Sequence, residues 1–161
     1  MYDFIVWLQN LPLSVWLREA FWPFPTVLTV HVLSMGLLSG VGVATGLRVN
    51  GVGGGTAISR WTQFAPVTWI AVVIVVISGI GLFLTYPAKA ATNPLFYFKL
   101  AGMAAALVLT VWLNRRMRAD VDIEGLRLAG AALIVLWVLV IFAGRFLAYT
   151  YNFINLLWYP R

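Results

Sequence analysis

The sequence predicts an all-α integral membrane protein, a four-transmembrane-helix bundle with short interfacial helices at the N- and C-termini. Three observations carry that reading. Of 161 residues, 62% are hydrophobic and 10% charged, against about 45–50% and ~25% in a soluble domain. The runs 20–47 and 61–88 hold no formal charge, and each exceeds the roughly 20 residues that cross a bilayer core as a helix. The acidic residues Asp3, Glu19, Asp120, Asp122 and Glu124 all fall outside the predicted spans, which argues against a carboxylate relay through the membrane. Four spans and short loops make 1–161 a single membrane domain.

Taken in order, residues 1–22 read as an interfacial segment. Asp3 and the missing basic n-region set it apart from a signal peptide. Pro12 interrupts it, Ser14 is placed to cap a short helix VWLREAFW, and Trp7, Trp16 and Trp22 suit the headgroup level. The first span covers about 24–47. Pro23 and Pro25 fit its first turn, and Arg48 with Asn50-Gly51 its exit. Gly36–Gly40 and Gly42–Gly46 are G-x-x-x-G spacings that let a helix or a flat ligand approach the backbone. The glycine-rich loop that follows lacks G-K-[ST] and a preceding strand, so it is not a phosphate loop. It leads into a short surface helix, ISRWTQF.

The second span, 65–86, is small and closely packable at Ser78, Gly79 and Gly81. The third, 94–114, carries Lys99 one to two turns inside, where a lone lysine can snorkel to the headgroups. The fourth, 125–149, has Arg145 one turn from its end, and the aromatic tail 150–161 is expected to return to the interface.

Basic residues set orientation rather than mark a nucleic-acid partner, despite the +6 net charge. Arg48, Arg60, Arg115, Arg116, Arg118 and Arg127 lie in the 1–2 and 3–4 loops; Arg18, Lys89, Arg145 and Arg161 lie towards the other side, with all six tyrosines. The expectation is a multi-pass protein of the bacterial inner membrane with periplasmic termini.

The only histidine, His31, sits inside the first span, and no cysteine is present. Disulfides, iron–sulfur clusters and C-x-x-C-H haem attachment are thereby excluded. At 1.5 Å rise per residue, His31, Lys99 and Arg145 all lie roughly 6–12 Å below the same surface. His31 shares a helix face with Met35, Leu38 and Gly42, Lys99 with Met103, Ala106 and Thr110, and Arg145 with Ile134, Val138, Ile141 and Tyr149. If these faces meet, they form an apolar slot with an imidazole in its wall and positive charge at its mouth. Haem b suits such a slot, with imidazole as axial ligand and propionates on Lys or Arg. A quinone or lipid headgroup could use the same residues. Copper or zinc would find too few ligands in one chain.

These residues carry a resemblance. His31-Val-Leu-Ser-Met-Gly36, continuing to Gly40, and Phe96-Tyr97-Phe98-Lys99-Leu100 resemble segments of small four-span bacterial membrane proteins. That group includes the haem-dependent membrane protoporphyrinogen oxidases and the membrane domain of copper-resistance D-type proteins. The resemblance implies that His31 is associated with haem b and that Lys99 is functional. The oxidases carry a histidine just before the lysine, where this chain has Tyr97 and Phe98. The opening Phe24-Pro25-Thr-Val-Leu-Thr29-Val-His31 is also similar to that of a four-span inner-membrane family of unknown function.

The resulting expectation is a haem b-binding subunit acting in electron transfer beside a redox or quinone partner, more an accessory subunit than an enzyme. His31 is the metal ligand, Lys99 and Arg145 contact the propionates, and Met35, Gly36, Gly40 and Met103 line the slot. A second axial ligand comes from another copy in a homo-oligomer, or from Lys, Met or water. The alternatives are a cofactor-free structural subunit, in which His31 only hydrogen-bonds across helices, and a porphyrinogen oxidase-like enzyme. Catalytic residues are not assigned.

Overall fold

The computed structural model describes residues 2–53, 65–119 and 124–158. Every element among them is helical: α1 (Tyr2–Gln9), α2 (Pro12–Glu19), α3 (Pro23–Val49), α4 (Ala65–Thr85), α5 (Pro87–Ala91), α6 (Pro94–Arg118) and α7 (Arg127–Trp158), the last preceded by a 3-10 turn, Glu124–Leu126. Four of them, α3, α4, α6 and α7, are long and apolar enough to cross a membrane. The expected all-α four-span architecture is therefore present, and the chain is a multi-pass membrane protein by the length and hydropathy of these helices.

Prolines start the helices, as their missing N–H and fixed φ favour. Pro12, Pro23, Pro87 and Pro94 each stand in the first turn of an element. Leu11, before Pro12, is extended at φ −60°, ψ 137°, as the residue before a proline prefers. The break between α1 and α2 follows from that. The predicted Ser14 cap is corrected here: α2 begins at Pro12, and Ser14 lies inside it with a buried Oγ that has no hydrogen-bond partner among the described residues. Helix α3 ends where Gly51 (φ 89°) and Gly53 (φ 80°) take left-handed conformations that a residue with a Cβ rarely adopts. The expected surface helix ISRWTQF lies outside the described residues.

Helix α3 packs along α4 on one side and α7 on the other, and α7 packs along α6. Glycines open all three seams. A Cβ on Gly79 or Gly81 of α4 would press on His31 or Val27 of α3. Gly42 and Gly46 of α3 face Trp137, Ile134 and the Gly130 carbonyl of α7, and Gly102 of α6 faces Val140. One of the two predicted G-x-x-x-G spacings, Gly42–Gly46, is thus a helix seam that brings backbones together. The core that results holds Leu38, Ala71, Val75, Ala106, Leu113, Leu133, Trp137 and Val140.

At the end of the bundle that carries the N-terminus, α2 packs on α3 and α4, and α1 on α5. The outward aromatic side chains of α1 and α2, Phe4, Trp7 and Trp16, and those of the turn into α3, Phe21 and Trp22, are exposed. At the same end, Asn93 accepts from Leu95 N to cap α6 (3.0 Å) and donates from Nδ2 to Thr150 Oγ1 of α7 (2.8 Å). The C-terminal segment departs from expectation. No proline interrupts the chain from 127 to 158, so α7 runs as one helix of 32 residues instead of stopping near 149 and returning as a separate interfacial piece.

Candidate functional site: a polar node shared by three spans

His31 lies eight residues into α3, on the inward face with Ser34, Met35 and Leu38, and is 8% exposed. Helix α4 meets it with Ser78 and Gly79. The missing side chain of Gly79 admits the ring, because a Cβ there would stand 3.3 Å from His31 Cε1. Helix α6 brings Lys99 from the other side. Both ring nitrogens are engaged: Nδ1 lies 3.0 Å from Ser78 Oγ and Nε2 lies 3.3 Å from Lys99 Nζ.

The proton positions follow from the inventory of donors. A serine hydroxyl has one proton, and Ser78 Oγ points it at the Ile74 carbonyl at 2.6 Å. With the hydroxyl proton on that carbonyl, we assign the ring proton to Nδ1, which then donates to the hydroxyl oxygen. Nε2 is left as a lone-pair acceptor for the Lys99 ammonium. The result is a chain of donors running one way, from Lys99 to His31 to Ser78 to the Ile74 carbonyl. Burial of each polar group is offset by a hydrogen bond.

The Lys99 stem does not lie on lipid. It rests against Gly144 of α7, where a Cβ would meet Cε at 3.4 Å and Nζ at 3.5 Å. The ammonium turns to the imidazole instead of snorkelling outward. The tie between Asn93 and Thr150 sets this register, since stepping six residues down α6 and up α7 brings Lys99 opposite Gly144.

Of the residues predicted to converge, His31 and Lys99 meet. Met35, one turn beyond His31, is buried in the core, and Met103, one turn beyond Lys99, is partly buried against it. Gly36 and Gly40 stand on the exposed face of α3 with nothing within 4 Å of a Cβ position. Arg145 is exposed, with its guanidinium 4.9 Å above the Tyr149 ring, and points away from His31 together with Val138, Ile141 and Tyr149. The physical reason is azimuth. One residue turns a helix by about 100°, so the residue facing the node is Gly144, and Arg145 faces out. Sequence reasoning missed Ser78 and Asn93; a hydroxyl in the Ser-Gly-x-Gly stretch of an apolar span was the available signal for the first.

As packed here, an iron could reach Nε2 of His31 only if Lys99 withdrew from it. An axial bond requires a ring nitrogen with a free lone pair, and one nitrogen is protonated towards Ser78 while the other accepts from Lys99. Among the described residues, no three His, Asp or Glu side chains cluster to hold a metal ion. What the arrangement does chemically is to hold three helices together through one neutral ring and one ammonium. No family model, curated protein or solved structure matches the chain.

Proposed function

We propose that the chain is a cofactor-free structural subunit of a membrane protein complex, with the His31 node fixing α3, α4 and α6 relative to one another. The observation that carries this reading is the engagement of both His31 ring nitrogens by Ser78 and Lys99 inside the bundle. Helix α3 supports the complex: among the described residues nothing lies within 4 Å of a Cβ position at Gly36 or Gly40, which leaves a small-residue face on which a partner helix can approach closely. The excess of arginine at the Arg48, Arg115, Arg116, Arg118 and Arg127 end of the bundle supports a bacterial inner-membrane location with that end in the cytoplasm and the termini periplasmic.

A second reading, the haem b subunit in electron transfer, is favoured by one observation. The partner of Nε2 is the tip of a flexible side chain at 3.3 Å, which could withdraw and leave that nitrogen to an iron. An absorption spectrum of the detergent-purified protein, expressed with ample haem, separates the two. Oxidised and dithionite-reduced samples without a b-type spectrum support the structural subunit. A b-type spectrum that His31→Ala abolishes replaces that reading with the haem subunit.

A further inference from the structure

Helix α6 buries one side and leaves the other bare. Gly102, Ala106, Thr110, Leu113 and Met117 face the bundle. Opposite them Ala101, Ala105, Val108 and Trp112 follow one another at steps of three or four residues, and all are exposed. Such steps keep a side chain on one helix face. The apolar stripe ends in charge. Arg115 and Arg116, the next residues on that face, are both exposed and, at about 100° per residue, stand on either side of its midline. The Arg116 guanidinium lies 5.4 Å from the centre of the Trp112 ring, so a cation and an aromatic ring meet where the stripe ends.

Depth follows from helix length. Pro94 begins α6 directly after the polar Asn93 cap, and Arg115 and Arg116 stand roughly 32 Å further along the axis at 1.5 Å per residue. The hydrocarbon core is about 30 Å thick. The stripe therefore lies within the core and the two arginines at its edge, with Trp112 at the level where tryptophan collects. Among the described residues Glu124 pairs with Arg127 at 3.4 Å, and no carboxylate stands within 4.0 Å of Arg115 or Arg116.

We infer that this face of α6 binds an anionic phospholipid, its phosphate between Arg115 and Arg116 and an acyl chain along Trp112, Val108, Ala105 and Ala101. Each guanidinium offers a planar fork of N–H donors that matches phosphate oxygens, and the stripe beneath offers apolar contact. A zwitterionic headgroup brings its own cation, which these arginines repel. A free anion would use the arginines alone. The inference goes beyond the structural reading and does not depend on what His31 holds.

The test is native mass spectrometry of the detergent-purified protein in an equimolar mixture of phosphatidylglycerol and phosphatidylcholine, read as the ratio of the two in the singly lipid-bound species. Phosphatidylglycerol is expected to be retained in preference by roughly 25-fold, two basic contacts at about fivefold each. Arg115→Gln or Arg116→Gln should leave about fivefold, and the double variant no preference. Arg145→Gln, at the other end of the bundle, should behave as wild type. Excess glycerol phosphate should not displace the lipid. Equal retention of the two lipids in wild type overturns the inference and leaves the arginine pair to an acidic protein segment. A preference unchanged in the double variant, or lost equally in Arg145→Gln, overturns it too, as does full displacement by glycerol phosphate. Should the glutamine variants fail to insert, the wild-type lipid ratio and the glycerol phosphate competition still decide.

Discussion

Lys99 and His31 lie 68 positions apart in the chain, yet Nζ of the one stands 3.3 Å from Nε2 of the other. This contact links α6 to α3, two spans that otherwise share little surface, because α6 packs chiefly on α7. Its energetic weight is measurable. A double-mutant cycle with His31→Ala and Lys99→Met, followed by unfolding in mixed micelles, should give a coupling of about 0.6 kcal/mol and not above ~1.7, the range of interhelical hydrogen bonds in membrane proteins. Zero coupling would mean that the pair does not form in the folded protein.

Gly42 supplies a steric test of the α3–α7 seam. A Cβ there would overlap the Trp137 indole, which is fully buried, so something must shift. Gly42→Ala should destabilise by about 1–3 kcal/mol, the usual cost of overpacking. Gly36→Ala and Gly40→Ala meet open space and should leave the isolated chain unchanged or slightly stabilised through helix propensity. Thermal unfolding of the three variants in detergent checks the contrast.

Trp137 also carries a buried indole N–H with no hydrogen-bond partner among the described residues. Replacing it by Phe deletes a donor whose desolvation is uncompensated, a penalty of about 1–3 kcal/mol in the wild type, while leaving a modest void. Trp137→Phe is expected to cost well under the ~3–5 kcal/mol of a large aromatic truncated to alanine, and Trp137→Ala should show that full loss. Equal losses in denaturant unfolding would show that the indole N–H is satisfied.

Asn93 makes two hydrogen bonds from one side chain, to Leu95 N and to Thr150. Asn93→Ala should therefore cost about 1 kcal/mol through the lost cap alone, and more through the tie. Thr150→Val removes the tie, together with the hydroxyl's bond to the Phe146 carbonyl (3.1 Å), and leaves the cap in place. Hydrogen exchange at Leu95 should rise in the first variant and stay protected in the second.

Orientation is testable because the chain has no cysteine. Phe4→Cys, on α1, should react with a membrane-impermeant thiol reagent in intact cells, and Arg116→Cys, at the far end of α6, only after permeabilisation. The reverse pattern would invert the topology.

The four spans were legible because uncharged runs such as 20–47 admit no other reading in a chain this apolar. Depth was legible too, since rise per residue is fixed, and His31 and Lys99 do lie at one level. Azimuth between helices was not. Nothing in one sequence says which face of the fourth span turns inward, and the step from Gly144 to Arg145 separates a residue under the node from one on the exposed face. The same gap hid the different fates of the two glycine pairs on α3: Gly42 and Gly46 enter a seam, while Gly36 and Gly40 look out. The C-terminal tail misled for another reason. Its aromatic residues suggested an interface, but aromatic residues do not end helices, and α7 continues to Trp158.

The order of synthesis gives the node a further meaning. Helices α3 and α4 leave the ribosome first, and they carry His31 and Ser78; α6, with Lys99, follows. Until α6 arrives, the inserted hairpin holds an imidazole lone pair open to lipid, and the later hairpin holds an ammonium in need of an acceptor. Each half of the chain thus carries a polar group whose partner lies in the other half, and the two are satisfied only when the hairpins pack together.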